Sequence, residues 1–189
     1  YFTHSKGNEM TDEIAQGLLR TVIRNGRKAF ENQRDYQAMS ELMWCGSLSH
    51  NGITGLGAQK DFGPHKIGHE LSAKYDVAHG ASLSAVWEAW AEYVYMEEPE
   101  RFAKYARSVW DIREEDPVQA AKLGIKATVD YFRSLHMPVS IGELEIGVRP
   151  EEELEDMAAR ATGNDTFTVA KFKELHQKDI LEILKKANH

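Results

Sequence analysis

Three histidines lie close together in the stretch GPHKIGHELSAKYDVAHG, which covers residues 63–80. His65 and His69 are four residues apart, so they share one face of any helix that spans them. His79 precedes Gly80, where the chain must turn into the next helix, and such a turn can bring His79 back beside His65. Neutral imidazoles that converge in this way are common ligands for zinc and ferrous iron. The cluster is therefore a candidate metal site.

The spacing alone leaves structural and metal-binding roles both open. The HExxH pattern of zinc proteases is missing, because Glu70 follows the second histidine instead of lying between the two. A self-contained helical metallohydrolase or metal-sensing domain would need two further ligands, for which the candidates are His50, Asp61, Glu70 and Asp76. A helical interaction module with structural histidines is the third interpretation.

Helical periodicity dominates the rest of the sequence. Pro64, Ile67 and Leu71 predict a helix over residues 64–75, which would carry His65 and His69. Alternating patterns typical of strands are confined to fragments such as TFTVA. We therefore expect an all-α protein, a compact multi-helix bundle of about seven to nine helices in one domain over residues 1–189. The other predicted helices cover residues 10–31 and begin at Tyr36, near Gly80, at Pro99, at Asp116-Pro117, at Pro150 and at Phe172.

The composition argues against several classes of protein. The 189 residues carry a net charge of -7, whereas nucleic-acid binding needs a basic surface. No run approaches about eighteen apolar residues, so we expect no membrane-spanning helix. Cys45 is the one cysteine, which fits a reducing cytoplasm and a small buried position. We expect Trp44, Phe62 and Trp87 in the core as well, with the wall of a substrate pocket as the alternative.

The sequence around the histidines resembles one enzyme family. HKIGHELSAKYDVAHG is similar to the signature of the iron-containing (group III) alcohol dehydrogenases. MWCGSLSHNGITGLGAQKDFGPH and YFT resemble their branch of NAD(P)H-dependent butanol dehydrogenases and aldehyde reductases. LHMPVSIGELEIG and FTVAKFKELHQKDILEILKKA resemble the C-terminal segments of that family. The resemblance covers essentially the whole chain and implies the C-terminal helical domain of the dehydroquinate synthase-like fold.

The resemblance implies roles for the three histidines. His65 and His79 would bind a divalent metal, Fe2+ or Zn2+, and His69 would lie beside the metal and the nicotinamide and assist proton transfer. The other two ligands of the family, an aspartate and a histidine, precede the position that Tyr1 matches, as does the N-terminal nucleotide-binding domain. We therefore expect both to be absent from this chain. His4 follows YFT, on the wrong side of that ligand position, and is expected to be an exposed loop residue.

The resemblance also implies an activity. The parent enzyme would interconvert a primary alcohol and an aldehyde with NAD(P)H, and this chain alone would bind metal weakly and lack hydride transfer. Its expected partners are the small-molecule substrate and the missing N-terminal domain; a homodimer is left open, and neither nucleic acid nor membrane is expected. GITGLGAQ contains G-x-G but follows a helix rather than a strand, so it fails as a dinucleotide-binding motif.

Overall fold

The computed structural model describes residues 1–4 and 8–189, and this part of the chain is helical. It contains eight α-helices and no strand, with one isolated antiparallel bridge between Val169 and Leu175. The all-α prediction is confirmed. None of the helices is long and apolar enough to cross a membrane. The helices are α1 (Glu9–Glu31), α2 (Tyr36–His50), α3 (Gly63–Tyr75), α4 (His79–Val94), α5 (Pro99–Trp110), α6 (Pro117–Ser134), α7 (Glu151–Ala161) and α8 (Gln177–Ala187).

Local sequence signals set the start of several helices. The side chains of Asp35 and Asp116 accept hydrogen bonds from the backbone N–H groups of Ala38 and Gln119, at 3.0 and 2.8 Å. Each bond satisfies a donor that the first turn of a helix leaves without a partner inside the helix. Proline stands in the first turn of α3, α5 and α6, where its missing N–H costs nothing. The predicted start at Asp116-Pro117 is confirmed.

The last helix begins later than the sequence pattern predicts. We expected it to start at Phe172, but α8 starts at Gln177. The backbone N–H groups of Lys171 and Phe172 donate to Oδ2 of Asp61 at 2.6 and 2.8 Å. Val169 and Leu175 then exchange backbone hydrogen bonds at 3.1 and 2.9 Å. Because the N–H of Leu175 is bonded in this bridge and not to a carbonyl one helical turn earlier, the stretch stays outside the helix. A capping box at residues 176–179 then begins α8.

The chain folds into two compact units, of which the first comprises Tyr1–Lys60 and Glu98–Leu135. Within it α5 and α6 pack with their backbones close together. A Cβ atom placed on Gly124 would lie 2.7 Å from Cβ of Ala106 and 3.1 Å from its Cα atom. Both residues are buried, and glycine is therefore the residue that allows this approach. The buried apolar residues of α5 include Phe102, Tyr105, Ala106 and Val109.

A buried ion pair connects α1 to α5 in the same unit. The guanidinium of Arg101 donates to both carboxylate oxygens of Asp12 at 2.6 and 2.7 Å, and both residues are 6% exposed. Nζ of Lys104 adds a third contact to Asp12 at 2.7 Å. Burial alone would raise the pKa of Asp12, but the hydrogen bonds from Arg101 and Lys104 outweigh it and hold that pKa below its usual value.

Helix α2 turns an apolar face outward. Its buried residues are Ala38 and Cys45, which confirms the buried position predicted for the cysteine. Burial raises the pKa of the Cys45 thiol. The prediction that Trp44 lies in the core is wrong, since it is 61% exposed. Successive residues of a helix point about 100° apart, so the inward direction of Cys45 turns Trp44 away. The exposed apolar side chains of α2 are Tyr36, Met39, Met43 and Trp44.

The second unit comprises Asp61–Glu97 and His136–His189, and it contains α3, α4, α7 and α8. Its core is apolar and closely packed. The expectation of one domain over residues 1–189 stays a prediction. The largest side chains that are fully buried in this unit include Ile67, Leu71, Trp90, Leu154, Phe172, Ile180 and Leu184.

Polar contacts fix α3 against α7. The hydroxyl of Tyr75 donates to Oε2 of Glu153, which also accepts from Nε of Arg149 at 2.8 Å. Nε of Arg160 lies 3.0 Å from Oε2 of Glu70. The hydrogen bonds from Arg149 and Tyr75 lower the pKa of Glu153 to about 2. These contacts hold in place the helix that carries two of the three histidines.

Candidate metal-binding site

The start of α3 is fixed by contacts around Gly63. Oδ1 of Asp61 accepts a hydrogen bond from the Gly63 N–H at 2.6 Å. A Cβ atom on Gly63 would lie 2.5 Å from Nε1 of Trp90, so the indole of α4 packs directly on the glycine backbone. Because His65 lies in the turn that follows, these contacts set its position.

The segment between α3 and α4 brings His79 back toward the start of α3. Asp76 ends α3 in the left-handed conformation, with φ of 56°, and Ala78 is extended, with ψ of 133°. An extended chain advances about 3.3 Å per residue, whereas a helix rises about 1.5 Å per residue. The connection of three residues can therefore cover about 10 Å, about half the length of α3, and return the first residue of α4 to the level of His69.

The three imidazole rings converge. The ring centroids of His65 and His79 are 5.4 Å apart, and those of His69 and His79 are 5.1 Å apart. The rings of His65 and His69, on the same helix face, are 6.1 Å apart. His65 is half-buried, whereas His69 and His79 are exposed. The predicted approach of His79 to His65 is present in the structure.

The spacing of the rings fits a shared ion. Two imidazoles that bind one tetrahedral zinc ion at about 2.1 Å through nitrogen place their ring centroids about 5.3 Å apart. The separation of 5.4 Å between His65 and His79 matches this value. The separation of 5.1 Å between His69 and His79 is also close to this value, whereas the 6.1 Å between His65 and His69 is wider. The ring spacing therefore allows His79 to share an ion with either His65 or His69, with the remaining imidazole beside them.

The residues described by the structure do not complete a metal shell. Across residues 1–4 and 8–189, no group of three His, Cys, Asp or Glu side chains could hold a metal ion. Two of the candidates for further ligands have other partners, since Asp61 accepts from backbone N–H groups and Glu70 pairs with Arg160. Nδ1 of His50 lies 2.9 Å from the carbonyl oxygen of Gly46. No observation therefore favours a self-contained metallohydrolase.

The aromatic ring of Phe62 borders the cluster next to His65. The ring of Phe62 stands edge-on to that of His65, with centroids 5.4 Å apart and planes at 90°. Phe62 is 48% exposed, so the prediction that it lies in the core is wrong. It immediately precedes α3, outside the helix itself. Trp87, the other aromatic candidate for a pocket wall, is half-buried. His4 is exposed as predicted, and its Nδ1 atom lies 2.6 Å from Oε2 of Glu98.

The sequence as a whole matches a known family. The sequence model described as "Fe-containing alcohol dehydrogenase family, C-terminal" matches residues 1–188. This chain belongs to the iron-containing alcohol dehydrogenase family. The family resemblance stated from the histidine motif is thereby confirmed for residues 1–188.

Its relatives include several dehydrogenases and reductases. NADH-dependent butanol dehydrogenase A of Clostridium acetobutylicum is 37% identical over 189 residues, which are 99% of this chain and 48% of that protein. The NADPH-dependent aldehyde reductase YqhD of Escherichia coli is 29% identical over 143 residues, covering 76% of this chain and 37% of the reductase. The crystal structure of NADH-dependent butanol dehydrogenase A from Thermotoga maritima superposes with a TM-score of 0.91 at 28% identity, over 100% of this chain and 48% of that one. This chain thus spans about half the length of these two butanol dehydrogenases.

Proposed function

We propose that this chain is the metal- and substrate-binding portion of an NAD(P)H-dependent alcohol dehydrogenase or aldehyde reductase that interconverts a primary alcohol and an aldehyde. The observation that carries the proposal is the convergence of His65, His69 and His79, from two helices, at distances that suit one ion shared by two of them. The family match and the named activities of the relatives support it.

In this proposal His65 and His79 hold a divalent metal, Fe2+ or Zn2+. Both are imidazoles, which suit either ion. Such an ion supplies a Lewis acid that polarises a carbonyl oxygen. The chain itself contributes the two nitrogen ligands and fixes their separation through the turn at residues 76–78. With two ligands, the isolated chain is expected to bind metal weakly.

His69 is proposed to move a proton between the substrate oxygen and solvent. Its ring lies 5.1 Å from that of His79 and is exposed, so it reaches both the site and water. Imidazole is the side chain whose unperturbed pKa lies nearest neutrality, which suits it to give and take a proton at ordinary pH. The edge of Phe62 beside His65 is an apolar surface that can exclude water from one side of the site.

The rest of the proposed enzyme belongs to the part of the relatives that this chain does not match. We place there the nicotinamide site and the two further metal ligands, and the coverage of 48% supports this division. The single cysteine supports a cytoplasmic location. A homodimer also belongs to this proposal and is tested by light scattering on the full-length protein.

The experiment uses the full-length protein with His65→Ala, His79→Ala and His50→Ala as separate variants. We expect both His65→Ala and His79→Ala to lose bound metal, measured by elemental analysis, and to lose NAD(P)H-dependent reduction of butanal. His50→Ala is the matched control, because it also removes an imidazole but lies on α2. It should keep both metal and activity.

Retention of stoichiometric metal by both His65→Ala and His79→Ala would overturn the proposal. Loss of metal from His50→Ala, together with tight metal binding by the 189-residue chain alone, would favour the self-contained metal-binding domain instead.

A further inference from the structure

Helices α3 and α4 cross in close contact at Gly68, which lies between two of the histidines. A Cβ atom on Gly68 would lie 3.0 Å from Cδ2 of Leu83 and 3.1 Å from Oγ of Ser82. It would also lie 3.3 Å from the carbonyl carbon of Ser82. Side-chain ends can move aside, but a backbone carbon moves only with its helix. A Cβ atom at position 68 therefore requires the Ser82 end of α4 to move away from α3 by a few tenths of an ångström.

Two serine hydroxyl groups, of half-buried Ser72 and buried Ser82, connect this crossing to His79. Oγ of Ser72 donates to Oγ of Ser82 at 3.0 Å, and Oγ of Ser82 donates to the backbone carbonyl of His79 at 2.9 Å. Ser82 is fully buried, so its hydroxyl cannot replace these hydrogen bonds with bonds to water. The two bonds therefore stabilise this arrangement. The backbone of His79 is thus tied through Ser82 to α3.

We propose that Gly68 is a positioning residue for the metal site: the close crossing that it permits, together with the Ser72–Ser82 hydrogen bond, sets the distance from His79 to His65. The inference rests on the proposed function, because it assumes that His65 and His79 share an ion. His65 and His69 lie on α3 on either side of Gly68, and His79 lies one turn before Ser82. A displacement of α4 at the crossing is therefore passed directly to the His79 ring.

The test compares Gly68→Ala with Gly80→Ala. Both add one methyl group to a glycine near the histidines, but a Cβ on Gly80 meets no atom within 4 Å. Co2+ affinity of the 189-residue chain and of the full-length protein is measured by titration, with the visible absorption of the cobalt ion reporting the geometry of its ligands. We expect Gly68→Ala to bind Co2+ about 10- to 100-fold more weakly, as for other changes that misplace a metal ligand. Gly80→Ala should bind within about twofold of the natural protein, an effect small against that 10- to 100-fold range.

A second variant covers the case in which Gly68→Ala does not fold. Ser82→Ala leaves the crossing sterically unchanged and removes the hydroxyl between Ser72 and His79, so Co2+ affinity should fall several-fold while circular dichroism shows the helices intact. In the metal-free protein, the nuclear Overhauser effect between the ring protons of His65 and His79 should weaken in both variants. A loss of helix packing elsewhere would not change it.

The outcomes separate this inference from the proposed function. If His65→Ala and His79→Ala bind Co2+ as the natural protein does, the proposed function fails. If those two variants lose Co2+ but a folded Gly68→Ala binds it with unchanged affinity and spectrum, only the role of Gly68 is refuted. Where Gly68→Ala does not fold, the same result for Ser82→Ala refutes it.

Discussion

The imidazole rings of His65 and His79 lie 5.4 Å apart, although one stands in the first turn of α3 and the other is the first residue of α4. Consecutive helices joined by a tight turn usually bring the end of one to the start of the next. Here the extended conformation at Ala78 carries the chain back along α3 before α4 begins. The site thus depends on the conformation of a three-residue connection as much as on the histidines themselves.

Substitution of His69 should separate proton transfer from metal binding. In the full-length protein we expect His69→Gln to keep its metal but to lower kcat for aldehyde reduction about 100-fold, the lower end of what a positioned acid–base group contributes. The kcat of His69→Gln should also depend less on pH than that of the natural protein. Steady-state kinetics across pH and elemental analysis measure both effects.

Lys66→Gln is the control for His69, because Lys66 is exposed on the same helix. It should change neither metal content nor kcat. Metal loss in His69→Gln equal to that in His65→Ala would contradict the separate roles and make His69 a ligand.

Removal of Arg101 should strongly destabilise the fold. Arg101→Met leaves the buried carboxylate of Asp12 without its bidentate partner, and breaking a buried pair in this way costs about 3–5 kcal/mol of unfolding free energy. Lys104→Met removes the other cation, which is 42% exposed, and should cost about 0–1 kcal/mol. Urea unfolding of the two variants measures the difference in their free energies of unfolding. Equal losses of free energy would show that burial does not make the Arg101–Asp12 pair more important for stability than the exposed Lys104 contact.

Two glycine substitutions should change stability in opposite directions. Gly124→Ala places a methyl group 2.7 Å from Cβ of Ala106, and such overpacking should cost about 1–3 kcal/mol. Gly46→Ala, on the exposed side of α2 with no atom within 4 Å, should gain about 0.5–1 kcal/mol because alanine is the better helix former. The double variant Gly124→Ala/Ala106→Gly should recover part of the loss in thermal unfolding. A stable Gly124→Ala without that second change would contradict the close contact of α5 with α6.

The contact between α3 and α7 should make stability depend on pH in the acid range. The pKa of Glu153 falls from 4.5 to about 2 in the folded protein, through its hydrogen bonds with Arg149 and Tyr75. Because the folded-state pKa is the lower one, ionised Glu153 stabilises the fold fully above about pH 4.5, and this contribution is lost as the pH falls toward about 2.

Glu153→Gln should therefore lower Tm at neutral pH, and its Tm should converge with that of the natural protein in acid. Glu152→Gln, at the neighbouring exposed position, is the control and should follow the natural protein throughout. A constant difference in Tm between Glu153→Gln and the natural protein at every pH would mean that ionisation of Glu153 is not the cause.

Features encoded by neighbouring residues were predictable from the sequence. The Asp116-Pro117 start of α6 depends on a cap that lies next to its helix, and the helix over residues 64–75 on its own apolar period. The histidine motif was recognisable for the same reason, since its spacing is local. Gly68 and Ser82 were missed, because their importance arises only where α3 meets α4; the one signal was the pair of small residues Gly68 and Ser72, one turn apart.

Features decided by distant residues were not predictable. The late start of α8 follows from the backbone bridge between Val169 and Leu175, within which the distant Asp61 carboxylate accepts from the N–H groups of Lys171 and Phe172. The apolar periodicity of α2 correctly predicted a helix. Periodicity alone does not show which neighbouring element, if any, covers the apolar face of that helix. Trp44 and Phe62 were expected in the core for that reason and lie exposed instead.

Because Cys45 is buried, the reactivity of its thiol reports how often the surrounding structure opens. As the only thiol, 4% exposed on the inward side of α2, it can react with an external disulfide reagent only when that helix opens. The rate of thiol labelling, followed without any introduced probe, therefore measures how often α2 separates from its unit.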